Sequence, residues 1–277
     1  MLKHIPIPPF FSFIRKGKIL ALLKDDYKDV LLERGIDDLN HFLKNKQISH
    51  FHEGRTPHPS LPLTEQKRMI LRQYSHGGLL RAITGNLYCF GARSFSELAI
   101  TEKIRSCGIP TIEPIGAIHQ KTGFPIFYRA YLLTIEVPGA LNAVHYLQKT
   151  AGNLSRETLL RKRKMIRDSG LLLRQFHQTG FFHQDLQLKN IIVAGDRILI
   201  IDFDRSYGKP VLTDRERMKN LLRLNRSVVK WKRSGLTISR TDLWRFFSAY
   251  ADSDKVIRNL MQKALRNPLR LLVYRII

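Results

Sequence analysis

Two rhythms of apolar residues divide the chain. Between residues 48 and 135 they come mostly in short alternating runs, the period of half-buried strands, and predict strands at 48–52, 60–63, 67–74, 112–118 and 125–135. The turns between them are written in Gly54-Arg55-Thr56-Pro57, Thr64-Glu65-Gln66 and Lys121-Thr122-Gly123. One helical stretch, 94–106, interrupts the strands and is closed by Gly108-Ile109-Pro110. Beyond residue 156 the spacing shifts to that of amphipathic helices, at 157–178, 213–233, 241–251 and 253–266, with Trp231 and Trp244 expected in the core. Two short apolar strands, 191–193 and 198–201, sit among these helices around the turn Ala194-Gly195-Asp196-Arg197.

The segment 182–201 carries the chemistry. Asp185 is followed by Asn190 with four residues between, the separation in a kinase catalytic loop, and the second apolar strand delivers Asp202 at its end. A hydroxyl that attacks a phosphoryl group needs a carboxylate to orient it and take its proton, a role that falls to Asp185. Asn190 and Asp202 offer hard oxygen atoms to a magnesium ion that bridges the phosphates of ATP. His183 reads as a prop for the loop. Gln184 stands where many protein kinases have an arginine that pairs with an activation-loop phosphate, so switching by such a phosphate is not implied. Asp204 replaces the glycine of D-F-G and removes that residue's backbone freedom.

The strand-rich half supplies the other parts expected of a nucleotide site. Arg72 occupies the position of the lysine in a V-A-I-K strand and would clamp phosphate as a planar fork. Glu97 on the 94–106 helix is its expected ion-pair partner, with Glu102 the alternative. Gly54 lies where a glycine-rich phosphate loop is expected, and Glu136 falls in the hinge segment 134–138, whose backbone would meet adenine. These assignments describe an α+β, bilobal, protein-kinase-like fold. A small, mostly antiparallel β lobe with one helix (49–137) follows an N-terminal extension (1–48) and precedes a larger, mainly helical lobe (138–277).

Charge narrows the partners. The 277 residues carry a net +24, and residues 205–277 hold 18 Lys or Arg against 5 Asp or Glu, so a phospholipid, a phosphorylated glycolipid or a nucleic acid is the expected counterpart. Prolines 6, 8 and 9 break the apolar N-terminus, which does not read as a signal peptide, and no uncharged run is long enough to span a bilayer. Phe10, Phe11 and Phe13 beside Arg15, Lys16 and Lys18 would suit a membrane interface or pack on the domain. Cys89 and Cys107 are too few for a disulfide framework and read as buried or half-buried.

Across residues 51–248 the sequence resembles the bacterial lipopolysaccharide kinase family, the Kdo and heptose kinases of the inner core, and is most similar to the Kdo-kinase branch. The likeness rests on Leu71-Arg72-Gln73-Tyr74 with His76-Gly77-Gly78-Leu79, on the segment 93–97, on Gly108-Ile109-Pro110-Thr111, on the 183–193 loop, on Ile201-Asp202-Phe203-Asp204-Arg205 and on the 220–230 helix. The resemblance implies an ATP- and Mg²⁺-dependent kinase with Asp185 as base, Asn190 and Asp202 as metal ligands, and Arg72 with Glu97 as phosphate clamp. It also implies an anionic glycolipid acceptor, Kdo-lipid A or core oligosaccharide, peripheral contact with the cytoplasmic face of the inner membrane, and no nucleic acid. Two rivals stay open: a protein kinase, tyrosine-directed or otherwise, and a catalytically weak pseudokinase that binds RNA or anionic membrane.

Overall fold

The computed structural model describes residues 7–39, 42, 50–52, 58–75, 85–89, 91–123, 126–152, 155–252, 254–255 and 257–259. Contacts divide the chain into two compact units, one formed by Met1–Arg105 with Ile112–Glu136, the other by Ser106–Thr111 with Val137–Ile277.

The first unit is built on an antiparallel sheet. Its strands are β1 (Phe11–Lys16), β2 (Ile19–Lys24), β3 (His50–His52), β4 (His58–Pro62), β5 (Arg68–Gln73), β6 (Tyr88–Cys89), β7 (Pro114–Lys121) and β8 (Phe127–Ile135). They run in the order β1-β2-β7-β8-β5-β4-β3, with β6 on β8. Successive side chains of a strand point to opposite faces, so the central strands, apolar at nearly every position, feed two cores. Leu23, Ile118 and Leu133 join Tyr27 and Leu31 of helix α1 (Asp25–Glu33) in one core. Their neighbours Leu22, Ala117 and Leu132 pack with Phe95 and Leu98 of helix α2 (Arg93–Ser106) in the other.

This sheet changes the reading of the N-terminus. The segment expected to be an accessory extension supplies two strands, β1 paired to β2 and β2 to β7, with Leu23 fully buried. Gly17-Lys18 between two six-residue runs is the hairpin signal that marks them. Of Phe10, Phe11 and Phe13, Phe11 enters the core while Phe10 and Phe13 are exposed.

The second unit is mainly helical: α3 (Ala143–Ala151), α4 (Arg156–Gln178), α5 (Asp214–Arg233) and α6 (Arg240–Ala251). Each begins at a side-chain cap, on Asn142, Ser155, Thr213 and Ser239, which satisfies backbone N–H groups that a first helical turn leaves unpaired. Small sheets accompany them, β9 (Leu141–Asn142) with β11 (Ile191–Ala194) and β12 (Arg197–Ile200), and β10 (Phe181–Phe182) with β13 (Tyr207–Gly208). Helix α4 buries Met165, Ile166, Ser169, Gly170, Leu173, Phe176 and His177 along one face. At Gly170 a Cβ would lie 2.5 Å from the carbonyl oxygen of Phe246, so α4 and α6 cross with backbone nearly in contact.

Two further expectations are corrected. Trp244 is 57 % exposed, on the outer stripe of its helix with Thr241 and Ser248, and Trp231 is half-buried, its ring under Lys189 of the loop rather than in the core. Cys89 and Cys107 are free and exposed rather than buried. Gly54, the 76–79 stretch and most of the 253–266 helix lie outside the described residues. Among the described residues no helix is long and apolar enough to cross a membrane.

Candidate active site

The loop after α4 is aimed by a tight crossing. Gly180 has φ +84°, and a Cβ there would sit 1.8 Å from the carbonyl oxygen of Lys209, so only glycine passes between α4 and β13. Three residues later the chain reaches His183, which is fully buried. Its Nε2–H donates to the carbonyl oxygen of Ile201 at 3.0 Å, and its Nδ1 accepts from the backbone N–H of Asp185 at 3.1 Å. One imidazole thereby ties the loop to the strand that delivers Asp202. Burial lowers the pKa of His183 and keeps the ring in the neutral form those two bonds require.

The Asp185 carboxylate is exposed and oriented by two donors, Gln187 Nε2 at 2.7 Å and Arg223 Nη1 at 3.4 Å. Asn190, buried in the 3₁₀ turn Leu188–Asn190, donates its side-chain N–H to the carbonyl oxygen of Asp185 at 2.8 Å. That bond uses the donor end of the amide and leaves its oxygen as the end suited to a cation. The backbone N–H of Ile201 donates to the backbone carbonyl of Asn190 at 3.0 Å, so Asn190 lies beside the residue that precedes Asp202.

Asp202 has φ +67°, a left-handed conformation uncommon outside glycine and costly enough to persist only where its surroundings impose it. The next residue supplies the constraint: Phe203 is buried against Phe176 and His183, at ring distances of 5.9 and 5.3 Å. Asp185 and Asp202 both act on His183 in the sense opposed to burial, as negative charges near an imidazole do. Among the described residues no three His, Cys, Asp or Glu converge as a self-sufficient metal cage. A carboxylate and an amide oxygen are instead the sparse, hard donor set that fits magnesium shared with phosphates.

In the sheet unit, Arg72 and Glu97 do meet, Nη2 to Oε2 at 2.5 Å, with Glu97 only 2 % exposed in side chain. Glu102, the alternative, pairs with Arg105 on its own helix. Tyr74, one of the residues behind the family resemblance, proves to be a third member. Its hydroxyl donates to Glu97 and accepts from Arg72 Nη2 at 3.0 Å, and the guanidinium lies 4.8 Å from its ring centroid. Burial, with the Glu97 carboxylate beside it, pushes the Tyr74 hydroxyl well above the ordinary tyrosine range, so it stays a donor. Glu136 turns its carboxylate to Ser60 and Arg68, while its backbone N–H donates to the Arg68 carbonyl.

Helix α5 contributes residues that sequence reasoning passed over. Asn220, fully buried, bonds both backbone groups of His183, at 3.0 and 2.8 Å, and the ring of His177 at 3.1 Å. Arg223 donates to the carbonyl of Gln184, Ser227 Oγ accepts from Leu188 N–H at 3.1 Å, and Trp231 lies under Lys189 at 5.2 Å. Residues 220, 223, 227 and 231 recur every three or four positions, so one helix row grips the loop from His183 to Lys189 in sequence order.

The fold is of the protein-kinase-like class. A family model described as "Lipopolysaccharide kinase (Kdo/WaaP) family" matches residues 43–250. The chain belongs to that family. A 3-deoxy-D-manno-octulosonic acid kinase of Vibrio vulnificus (strain YJ016) is 33 % identical over 58 % of this chain and 64 % of the relative, so the alignment spans a little under two thirds of that protein. One of Xanthomonas oryzae pv. oryzae (strain PXO99A) is 31 % identical over 66 % of this chain and 71 % of the relative. Among solved structures, "WaaP in complex with acyl carrier protein" superposes with a TM-score of 0.56 at 16 % identity, covering 92 % of this chain and 95 % of that one, a likeness of fold.

Proposed function

We propose that this chain transfers the γ-phosphoryl group of ATP to a sugar hydroxyl of the lipopolysaccharide inner core, and that the sugar is Kdo rather than heptose. The observation that carries the reading is the exposed Asp185 carboxylate on a loop held from three sides by His183, Asn190 and Asn220. Relatives described as Kdo kinases at 31 and 33 % identity support the choice of sugar.

In this reading Asp185 orients the acceptor hydroxyl and takes its proton as the new P–O bond forms. Gln187 on Oδ2 and Arg223 on Oδ1 hold the carboxylate, whose side chain stays 56 % exposed to an incoming hydroxyl. Magnesium, when bound, neutralises charge on the phosphates, and the Asn190 amide oxygen and the Asp202 carboxylate are the groups suited to hold it. Arg72, fixed by Glu97 and Tyr74, is the proposed permanent cation for the nucleotide phosphates, and Glu136, whose own backbone N–H is taken by the Arg68 carbonyl, lies in the segment proposed to offer its other backbone groups to adenine. The acceptor is a lipid-anchored anion, which suits a +24 chain working at the cytoplasmic face of the inner membrane.

Purified protein given labelled ATP, magnesium and Kdo-lipid A should label the glycolipid. Asp185→Asn should cut that rate by about 10²- to 10⁴-fold. Label that appears only on protein would move the assignment to a protein kinase. Absence of any magnesium-dependent thermal stabilisation by ATP would favour a binding-only pseudokinase.

A further inference from the structure

Helix α5 has a second row beside the one that grips the loop. Between Arg217 and Arg233 the helix carries seven Lys or Arg and no Asp or Glu. Arg217 turns inward to Tyr250 and Asp254. Lys219, Arg223, Arg226, Lys230 and Arg233 follow at intervals of four, three, four and three residues, which places them on one stripe. All but Arg223 are exposed. The stripe runs about 21 Å along the helix, and it passes the loop at Arg223, which touches both Gln184 and Asp185. Lys189 of the loop, exposed above Trp231, lies beside its far half.

Solvation alone accounts poorly for this row. Like charges three and four residues apart work against a helix. The helix dipole favours cations only in the last turn, where Lys230 and Arg233 sit, and not at Lys219, close to the positive end. A partner that brings negative charge offsets the repulsion.

We infer that the row Lys219, Arg223, Arg226, Lys230 and Arg233, with Lys189, is the acceptor subsite. It takes the carboxylate and phosphate groups of an anionic glycolipid and so sets the reacting sugar against Asp185. The inference takes its acceptor from the kinase reading above. Arg223 is the joint between the two rows: it holds the carboxylate through Nη1, while its buried Nε carries no hydrogen bond within the structure. The row spans a few linked sugar rings, so anionic groups on either side of the reacting hydroxyl are engaged together, and a neutral sugar or a peptide hydroxyl gains nothing from it.

The test compares binding and turnover in the full chain. Kdo-lipid A bearing both phosphates and the same molecule after dephosphorylation are titrated in neutral detergent micelles against wild type, Lys219→Ser, Lys230→Ser and the triple variant Arg226→Ser/Lys230→Ser/Arg233→Ser. Arg163→Ser/Arg167→Ser on α4 serves as a control for general loss of charge, and melting curves confirm folding. Each cation removed from the row should weaken binding of the phosphorylated ligand about fivefold, and the triple variant about a hundredfold. KM for the acceptor should rise in step while KM for ATP holds. Binding that is unchanged in the row variants, or equally weakened in the α4 control, overturns the subsite. So does an equal loss of affinity for phosphatidylglycerol vesicles, which would make the row a general membrane contact. Row-dependent binding without turnover would keep the subsite and discard the kinase reading; turnover with unchanged acceptor KM would do the reverse.

Discussion

Arg72 makes an ion pair that a lysine would not reproduce. Its guanidinium meets Glu97, receives the Tyr74 hydroxyl as a second partner and lies over the Tyr74 ring. With Glu97 buried, Arg72→Ala removes the guanidinium that pairs with its carboxylate, and should cost about 3–5 kcal/mol in urea denaturation. Tyr74→Phe removes only the hydroxyl bridge and should cost about 1–3 kcal/mol. Arg72→Lys is expected to fall closer to Tyr74→Phe in stability and, on the proposed reading, to raise the KM for ATP because an ammonium lacks the planar fork. The pair was legible in the sequence because a strand position and a helix position each announce themselves by period. Tyr74 was legible only as part of a resemblance, since a tyrosine among apolar residues gives no sign of which carboxylate its hydroxyl will find.

At the scale of elements, the proposed catalytic loop was readable because His183, Asp185, Asn190 and Asp202 lie within one short stretch whose spacing is itself the signal. What holds the loop was not. Asn220 reads as an ordinary polar helix residue, and only the packing of α5 brings it onto His183, 37 positions away in sequence. Asn220→Ala strands a buried N–H and a buried C=O of His183, each costing about 1–3 kcal/mol. The variant should show faster hydrogen exchange at the amides of His183 and Asp185 and a kcat at least about tenfold lower, with KM for ATP nearly unchanged. Equal exchange in variant and wild type would remove α5 from the account of the site. The N-terminal strands were missed for a different reason: mixed aromatic and basic residues conceal an edge hairpin whose inward face is plain only once β7 lies beside it.

Three buried histidines give the whole molecule a pH limit. Burial holds His119, stacked between Phe95 and Tyr128, and His177, bonded to Tyr250 and Asn220, down to about 3, and lowers His183 as well. An unfolded histidine titrates near 6.5, so above that pH neither state takes up the proton and stability is complete. As pH falls below 6.5 the unfolded chain binds protons that the folded one refuses until about 3, and stability declines by about 1.4 kcal/mol per pH unit for each such histidine. Melting temperatures taken from pH 7.5 to 5 should drop accordingly. His119→Phe, which keeps a ring in the stack, should make the decline shallower by one proton's share.

The helix crossing at Gly170 gives the second unit a long lever. The backbone of α6 rests where a side chain would stand, and from it Tyr250 reaches His177, His177 reaches Asn220, and Asn220 carries His183 and with it the loop that bears Asp185. A methyl group inserted at that crossing meets the Phe246 carbonyl oxygen at 2.5 Å and the Tyr250 backbone nitrogen at 3.2 Å, so the backbone of α6 must shift, and the displacement passes from partner to partner toward Asp185. On the proposed reading a lesion remote from every substrate atom presents as a catalytic defect, and genetic screens for loss of activity should recover Gly170 alongside Asp185 itself.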